Sequence, residues 1–174
     1  MALPHSTLVL GGASSGKSAI AEDLVLRMTD QPVYIATAQA FDAEMVDKVA
    51  RHQDRRSAAW TTIEAPFDVC AALDGASGEQ VVLLDCATLW LTNLILDDRD
   101  IADESKQLLA AIARCACPVV VVSNEVGQGI VPDNALSRRF RNEQGQLNQA
   151  MAAQMDVVVA VMAGLPLALK GTLP

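Results

Sequence analysis

Short apolar runs alternate with longer segments of mixed polarity along this chain. Five of the runs contain valine or isoleucine and lack any alternation of apolar and polar residues, which is typical of strands covered on both faces of a sheet. They predict strands at Thr7–Leu10, Val33–Thr37, Val81–Asp85, Val119–Ser123 and Val157–Met162. A sixth run, Leu165–Leu169, contains Pro166 and is therefore a candidate for an edge strand only.

Apolar residues recur at helical spacing in the segments between these runs. The spacing predicts helices at Ala19–Met28, from about Asp42 to His52, at Ile101–Cys115, and after an N-cap at Asp133. The buried stripe of the last helix is predicted to contain Leu136, Phe140, Leu147, Met151 and Met155. Because strands that alternate with helices pair in parallel through right-handed crossovers, we expect one three-layer α/β domain over residues 1–174.

The composition narrows the class of protein. The chain has 174 residues, 51% of them hydrophobic, which is enough for a full core without a metal or a disulfide. Its 13 basic and 21 acidic residues give a net charge of −8, which argues against a nucleic-acid partner. No apolar run approaches the length of a membrane span and no secretory signal is evident, so we expect a cytoplasmic location.

The cysteines show no pattern typical of chemistry. Cys70, Cys86, Cys115 and Cys117 contain no C-x-x-C pair and no zinc-site spacing. Free cysteine is among the most frequently buried residue types. We therefore expect reduced thiols in the core rather than a disulfide framework or a metal site.

The segment Gly11–Ser18, GGASSGKS, carries the most specific local motif. It matches G-x-x-x-x-G-K-[ST], follows a predicted strand and precedes a predicted helix, which is the context that this phosphate-binding motif requires. Its backbone N–H groups would point at phosphate oxygens. Lys17 would reach the β- and γ-phosphates, and the Ser18 hydroxyl would hold Mg²⁺. The chain is therefore predicted to bind a nucleoside triphosphate in a P-loop NTPase-type fold with a mainly parallel sheet.

Two further residues are candidates for chemistry from their positions. Asp85 ends a predicted strand, where an acid can assist Mg²⁺ near the phosphate loop, although it could also simply cap the next helix. His52 lies in the polar run ARHQDRR near the end of a predicted helix. A histidine there is often only a partner of the helix dipole, so spacing alone favours a structural role for His52.

A loop and a basic cluster complete the candidates. The stretch SNEVGQGIVP, residues 123–132, follows a predicted strand, and Asn124 and Glu125 are placed either to meet a substrate or to shape a turn. Arg138, Arg139 and Arg141 could bind phosphates, but a solvated helix face is the more frequent explanation of such a run. Spacing does not decide between these alternatives.

Several stretches together resemble one family, the adenosylcobinamide kinase / adenosylcobinamide-phosphate guanylyltransferases of cobalamin biosynthesis. They are GGASSGKS, YIATAQ, the histidine in ARHQDRR, Trp60 followed by Glu64, LLDCATLWLTNL, and SNEVGQGIVP with the later RRFRNEQGQLNQ. The resemblance runs from Leu8 to about Val161. It implies phosphorylation of the aminopropanol hydroxyl of adenosylcobinamide, followed by transfer of GMP from GTP to that phosphate through a guanylylated histidine.

The resemblance also implies site residues and partners. The guanylylated histidine is His52, and Lys17 is the second catalytic residue. The implied nucleotide site comprises Gly11, Gly12, Ala13, Ser14, Ser15, Gly16, Lys17, Ser18, Ala36, Thr37, Ala38, Gln53, Asp54, Arg55, Arg56, Glu64 and Asp85. Within it, Ser18 and Asp85 would hold Mg²⁺ directly or through water, and Glu64 is a candidate for reading guanine. GTP, ATP and a corrinoid are the implied substrates, and a homotrimer is the implied assembly.

Two other functions fit the motifs. The chain could be a simple P-loop kinase of a small metabolite, which would carry no covalent nucleotide, or a nucleotide-dependent switch, whose turnover would not depend on a corrinoid. If His52 attacks GTP, its imidazole must be neutral. Guanylyl transfer should then fall as the pH drops below the pKa of His52, which is about 6.5 if unperturbed.

Overall fold

A computed structural model describes residues 4–39 and 59–173. The strands are β1 Ser6–Gly11, β2 Pro32–Ala36, β3 Thr61–Glu64, β4 Val81–Asp85, β5 Val119–Asn124, β6 Val157–Met162 and β7 Leu165–Lys170. The helices of the described residues are α1 Lys17–Met28, α2 Val69–Asp74, α3 Ala87–Leu96, α4 Ile101–Arg114 and α5 Ala135–Gln154. The strands form one seven-stranded sheet in the order β3-β2-β4-β5-β1-β6-β7. All neighbouring pairs are parallel except β6 and β7, which are antiparallel.

The five buried strands are confirmed, with small shifts of their boundaries. The apolar run with Pro166 is also confirmed as an edge strand, β7. The sequence analysis missed β3, the strand at the opposite edge. All four of its residues, TTIE, are exposed, so it lacks the apolar run by which the other strands were identified.

Helices cover both faces of the sheet, which confirms the three-layer arrangement. On one face, Ala21, Leu24 and Val25 of α1 pack against valines of β1, β5 and β6. On the other face, residues of α2 to α5 form one core cluster that includes the fully buried Trp90 of α3. Alternation along each strand supplies both layers, because successive side chains point to opposite faces. No helix of the described residues is long and apolar enough to span a bilayer.

The predicted helix boundaries are mostly right, with two corrections in α5. Asn134, not Asp133, is the N-cap: its Oδ1 accepts a hydrogen bond from the Ser137 N–H at 2.8 Å. Leu136 does not belong to the buried stripe, since it is 53% exposed. The buried stripe instead includes a polar residue, Gln144.

Two helices of the described residues were not predicted, and one predicted helix lies in a part of the chain that the structure does not describe. The helix α2 is short, and α3, with the sequence ATLWLTNLIL, is apolar on nearly all sides, so neither shows a clear helical period. The helix predicted from about Asp42 to His52 lies outside the described residues. All four cysteines are free thiols; three are buried as predicted, and Cys70 is half-buried.

Candidate functional site

The loop Gly11–Ser18 lies between the end of β1 and the start of α1. Gly16 occupies the N-cap position of α1 with a φ of 93°, a conformation that favours glycine. No side chain of the described residues caps α1, and the positive end of the helix dipole favours an anion at this point. Lys17 Nζ donates to the Gly12 carbonyl at 3.0 Å, which holds the ammonium beside the loop. The loop therefore has the donors and the positive charge that a phosphate needs.

The turn between β6 and β7 supports this loop. Ala163 and Gly164 have positive φ values of 53° and 77°, as the two central residues of a type I′ hairpin turn do. The Gly164 N–H donates to the Ser15 carbonyl at 2.9 Å. The sequence analysis did not identify this support, because the hydrogen bond joins segments at opposite ends of the chain.

Three neighbouring strands bring Glu64, Ala36 and Asp85 side by side at the carboxyl edge of the sheet. Ala36 is paired in register with Glu64 on β3 and with Asp85 on β4. Tyr34 and Leu83, two positions earlier on β2 and β4, pack on the face covered by α1, so the three residues at the edge belong to that face as well. The two predicted carboxylates and the phosphate loop therefore share one face and one edge of the sheet.

The two carboxylates differ in environment. Asp85 is half-buried, and its Oδ2 accepts a hydrogen bond from the Tyr34 hydroxyl at 3.1 Å. Glu64 is exposed at the sheet edge, where a ligand can reach it. No role was predicted for Tyr34 from the sequence, where its place in the stretch YIATAQ was the only signal. In the structure, the Tyr34 hydroxyl orients the Asp85 carboxylate, which is on a strand nearer to the phosphate loop than Glu64 is.

The Thr37 side chain points to the opposite face of the sheet, where it joins the end of β2 to the start of α3. Its buried hydroxyl donates to the Cys86 carbonyl at 2.7 Å and accepts from the Cys86 N–H at 2.9 Å. Its own carbonyl accepts from Asn93 Nδ2 at 2.9 Å. The Thr37 hydroxyl is thus engaged between the end of β2 and the start of α3. Within the predicted Ala36–Ala38 set, the half-buried Ala36 and Ala38 are the residues that approach the surface.

Cys86, which follows Asp85, is not a nucleophile at neutral pH. Its Sγ accepts from the Leu89 N–H at 3.4 Å and so caps α3. Burial raises the pKa of Cys86 to about 11, and the neighbouring Asp85 carboxylate adds to the increase. The thiol is therefore protonated and structural.

The loop after β5 is shaped partly by a charged residue within it, Glu125, and by one on the following helix, Arg138 of α5. The Glu125 carboxylate accepts a hydrogen bond from the Gly127 N–H. Arg138 Nη1 donates to the Pro132 and Asp133 carbonyls at 3.0 and 2.8 Å. These contacts favour the structural alternative for Glu125 and Arg138. Arg139 is exposed and Arg141 is half-buried.

The donor set at the carboxyl edge suits a small hard cation. Ser18 lies in the first turn of α1, and Asp85 accepts the Tyr34 hydroxyl at Oδ2, while its Oδ1 has no hydrogen bond to a residue that the structure describes. Mg²⁺ prefers oxygen ligands, and one or two carboxylates with substrate phosphates and water commonly complete its site. No group of three or more His, Cys, Asp or Glu side chains suited to a metal occurs in residues 4–39 and 59–173. The residues fit a cation that binds together with a nucleotide.

Five predicted residues are not among those brought together here. His52, Gln53, Asp54, Arg55 and Arg56 belong to residues 40–58, which lie outside the described part of the chain. Their assignment to the site remains a prediction. The other histidine, His5, lies just before β1, at the opposite edge of the sheet from the phosphate loop.

Comparison with known proteins identifies the family. The family model described as cobinamide kinase / cobinamide phosphate guanyltransferase matches residues 7–169. The bifunctional adenosylcobalamin biosynthesis protein CobP of Pseudomonas aeruginosa is 45% identical over 167 residues, which cover 94% of this chain and 96% of that protein. The bifunctional adenosylcobalamin biosynthesis protein CobU of Salmonella typhimurium is 41% identical over 180 residues, which cover 94% of this chain and 98% of that protein. The CobU of Escherichia coli is 39% identical over the same shares of the two chains.

A solved structure shows the same fold without close sequence similarity. A protein of Pyrococcus horikoshii OT3 matches with a TM-score of 0.55 and 8% identity, over 97% of this chain and 87% of that one. The family match, by contrast, includes the phosphate loop, residues 40–58, Glu64 and Asp85. It therefore extends far beyond the phosphate loop, which many unrelated proteins share. The chain belongs to the cobinamide kinase / cobinamide phosphate guanyltransferase family and is a bifunctional enzyme of cobalamin biosynthesis.

Proposed function

We propose that this enzyme transfers GMP through a covalent guanylyl-histidine formed on His52. In the full reaction it phosphorylates the aminopropanol hydroxyl of adenosylcobinamide and then converts the phosphate to adenosylcobinamide-GDP. One observation carries the proposal: the phosphate loop, Glu64 and Asp85 lie on one face of the sheet at its carboxyl edge, in a chain whose family has both activities. His52 belongs to the matched range and is the only histidine in it.

In the kinase step, the phosphate loop acts mainly by position and charge. Loop N–H groups and Lys17 bind the β- and γ-phosphates and stabilise the charge that develops on the transferred group. The substrate hydroxyl oxygen bonds to the γ-phosphorus, and the nucleoside diphosphate leaves. ATP and GTP both carry the triphosphate that this loop recognises.

In the guanylyl transfer, one difficult displacement becomes two easier ones. A neutral imidazole nitrogen of His52 bonds to the α-phosphorus of GTP, the bond to the bridging oxygen breaks, and pyrophosphate leaves with the electron pair. The other ring nitrogen keeps its proton, so a neutral imidazole can leave in the second step. The phosphate of adenosylcobinamide phosphate then bonds to the same phosphorus, and the nitrogen–phosphorus bond breaks. Lys17 and the loop amides stabilise the departing pyrophosphate.

The remaining predicted residues have binding roles. Ser18 and Asp85 would hold Mg²⁺, which when bound neutralises phosphate charge during both transfers. Glu64 is exposed at the sheet edge, and its carboxylate can accept hydrogen bonds from the N1–H and amino group of guanine. Ala36–Ala38 and Gln53–Arg56 would complete the nucleotide site.

The proposal includes the setting in which the enzyme works. The chain acts as one domain, in the cytoplasm, and assembles as a homotrimer. Its partners are a nucleoside triphosphate and a corrinoid. Sedimentation of the purified protein with and without GTP would test the trimer directly.

The decisive experiment is guanylylation with GTP labelled at the α-phosphate. The wild-type protein is expected to gain an acid-labile, alkali-stable label, and His52→Ala is expected to lose it. The matched control is His5→Ala, which removes the only other histidine of the chain and should label normally. Labelling of the wild type should also fall as the pH drops below about 6.5, because a protonated imidazole cannot attack.

Two results would contradict the covalent step. Retention of the label by His52→Ala would place the nucleotide on another residue. The absence of label from a wild type that binds GTP in the presence of Mg²⁺ would leave a P-loop kinase without guanylyl transfer through histidine. Either result leaves the family membership intact.

A further inference from the structure

Asn124 ends β5, the strand that lies between the phosphate-loop strand β1 and the Asp85 strand β4. It is paired in register with Gly11, the first residue of the loop, and Asp85 is paired with Val122, two residues before it. Val122 packs on the α1 face, and side chains alternate along a strand, so Asn124 belongs to the α1 face too. Its amide therefore lies between the phosphate loop and Asp85.

Hydrogen bonds hold the backbone of Asn124 on both sides. Its N–H donates to Thr88 Oγ1 at 2.8 Å, and its carbonyl accepts from Asn148 Nδ2 at 3.0 Å. The N–H of the next residue, Glu125, donates to the Gly11 carbonyl at 3.1 Å. The side-chain amide of Asn124 is half-buried and makes no hydrogen bond with any residue that the structure describes. The backbone of Asn124 is thus held beside the loop, and its side-chain amide has donors that no described residue uses.

A buried polar network lies behind Asn124, on the opposite face of the sheet. Ser123 Oγ donates to Asn148 Oδ1 at 2.7 Å. Gln144 Nε2 donates to Ser123 Oγ at 2.9 Å and to Asn148 Oδ1 at 3.0 Å. All three side chains are buried, and the network is joined to Asn124 through the Asn148 amide.

The polar network is less favourable for stability than apolar side chains would be at the same positions. Gln144 Oε1 is buried and has no hydrogen-bond partner among the residues that the structure describes, which is unfavourable. It occupies a position in the α5 stripe where an apolar side chain would pack against the sheet without an unpaired oxygen. The polar residues therefore point to a role in fixing the end of β5.

We propose that the Asn124 side chain binds the terminal phosphate of the nucleotide, with Nδ2 donating to a γ-phosphate oxygen. Gln144, Ser123 and Asn148 are positioning residues that hold it there. The inference rests on the proposed use of the phosphate loop by the phosphoryl donor. During transfer the acceptor oxygen bonds to the γ-phosphorus, and the bond to the bridging oxygen breaks. The nucleoside diphosphate leaves with the electron pair, the hydroxyl proton passes to water, and the amide stabilises the charge on the γ-oxygens.

Calorimetric titration with α,β-methylene GTP and with GDP, without a corrinoid, tests the contact without requiring activity. The methylene bridge blocks attack at the α-phosphorus with loss of the terminal phosphates, and no acceptor for the γ-phosphate is present. Asn124→Ala is expected to weaken binding of the triphosphate analogue about tenfold, because a hydrogen bond to a charged group is lost. Binding of GDP should change less than about twofold, since GDP lacks the terminal phosphate. Kinase kcat should fall about 100-fold, as on loss of one donor to a developing anion.

Gln144→Leu tests the positioning network. This variant keeps the Ser123–Asn148 hydrogen bond and removes the unpartnered oxygen, so its thermal midpoint should equal or exceed that of the wild type. Its kcat should nevertheless fall about tenfold, and the same substitution in the Asn124→Ala background should cause no further fall. A purely structural role would lower stability and rate together and would act additively with Asn124→Ala.

The outcomes separate this inference from the proposed function. An equal loss of affinity for both nucleotides, or no loss, in Asn124→Ala would overturn the contact with the terminal phosphate. A wild type that binds neither nucleotide would overturn both proposals, because the loop would not be a nucleotide site. A wild type that binds both nucleotides but does not phosphorylate adenosylcobinamide would contradict the kinase step alone. The change in affinity for the triphosphate analogue relative to GDP would still test the contact made by Asn124.

Discussion

Among the glycines of the phosphate loop, Gly11 is the one at which an added Cβ would make the closest contacts with neighbouring atoms. A Cβ built on it would lie 2.7 Å from the Val161 carbonyl oxygen and would also overlap Ser15 Oγ. Ser15 could rotate away, but Val161 O belongs to the backbone of β6 and is fixed by the sheet. In Gly11→Ala the loop must therefore move away from β6.

The expected cost can be estimated from overpacking. Forcing an extra methyl group into a tightly packed site typically costs about 1–3 kcal/mol. For a domain of this size, a loss of about 2 kcal/mol lowers the thermal midpoint by about 4–8 °C. Affinity for a nucleoside triphosphate should fall as well, because the loop N–H groups move away from the positions in which they would contact the phosphate oxygens.

Gly12→Ala is the matched control. A Cβ on Gly12 has no neighbouring atom within 4 Å, so its thermal midpoint should stay within about 2 °C of the wild type. Thermal unfolding followed by circular dichroism, with urea unfolding for the free energy, measures both variants. In the double variant Gly11→Ala/Ser15→Ala, the overlap with Ser15 Oγ is removed. The tight contact with Ser15 Cβ at 3.2 Å and the overlap with the Val161 carbonyl remain, so recovery should be partial. Equal midpoints for Gly11→Ala and Gly12→Ala would refute this reasoning.

Two other predictions concern α5 and the thiols. Gly145→Ala is expected to raise the free energy of unfolding by about 1 kcal/mol in urea titrations, because Gly145 lies inside α5 and an added Cβ would meet nothing within 4 Å; a lower value would indicate that α5 needs the glycine. Alkylation of the native protein at pH 8, read by peptide mass mapping, should label Cys70 before Cys86. Burial raises the pKa of the half-buried Cys70 as well, but it raises the pKa of the buried Cys86 to about 11, so only about 0.1% of the Cys86 thiol is ionised at this pH. Equal labelling of both in the native state, with urea-unfolded protein as the reference, would be inconsistent with the buried thiol.

The sequence determined the buried part of the sheet and the phosphate loop. Val81–Asp85 and Val157–Met162 were predicted with their actual boundaries, because a strand covered on both faces needs a continuous apolar run. Gly11–Ser18 was identified because its glycine spacing, lysine and serine are local requirements of phosphate binding. The position of Asp85 beside this edge followed from the parallel topology.

The exposed edge strand β3 and the uniformly apolar helix α3 could not be predicted in the same way. Thr61–Glu64 is an exposed edge strand, and its pairing with β2 is decided by the neighbouring backbone rather than by its own side chains. The helix α3 is apolar on nearly all sides, so its period is hidden. The helical period is visible in a sequence only where burial differs between the faces of the helix.

The tertiary structure alone decided how distant polar groups combine. The hydrogen bond from Gly164 to the phosphate loop and the one from Tyr34 to Asp85 join residues that no local pattern relates. Gln144 had no predicted role; the fold places it against Ser123 and behind Asn124. Hydrogen bonds depend on distances of about 3 Å between particular atoms, and such distances are set by packing of the whole chain rather than by spacing along it.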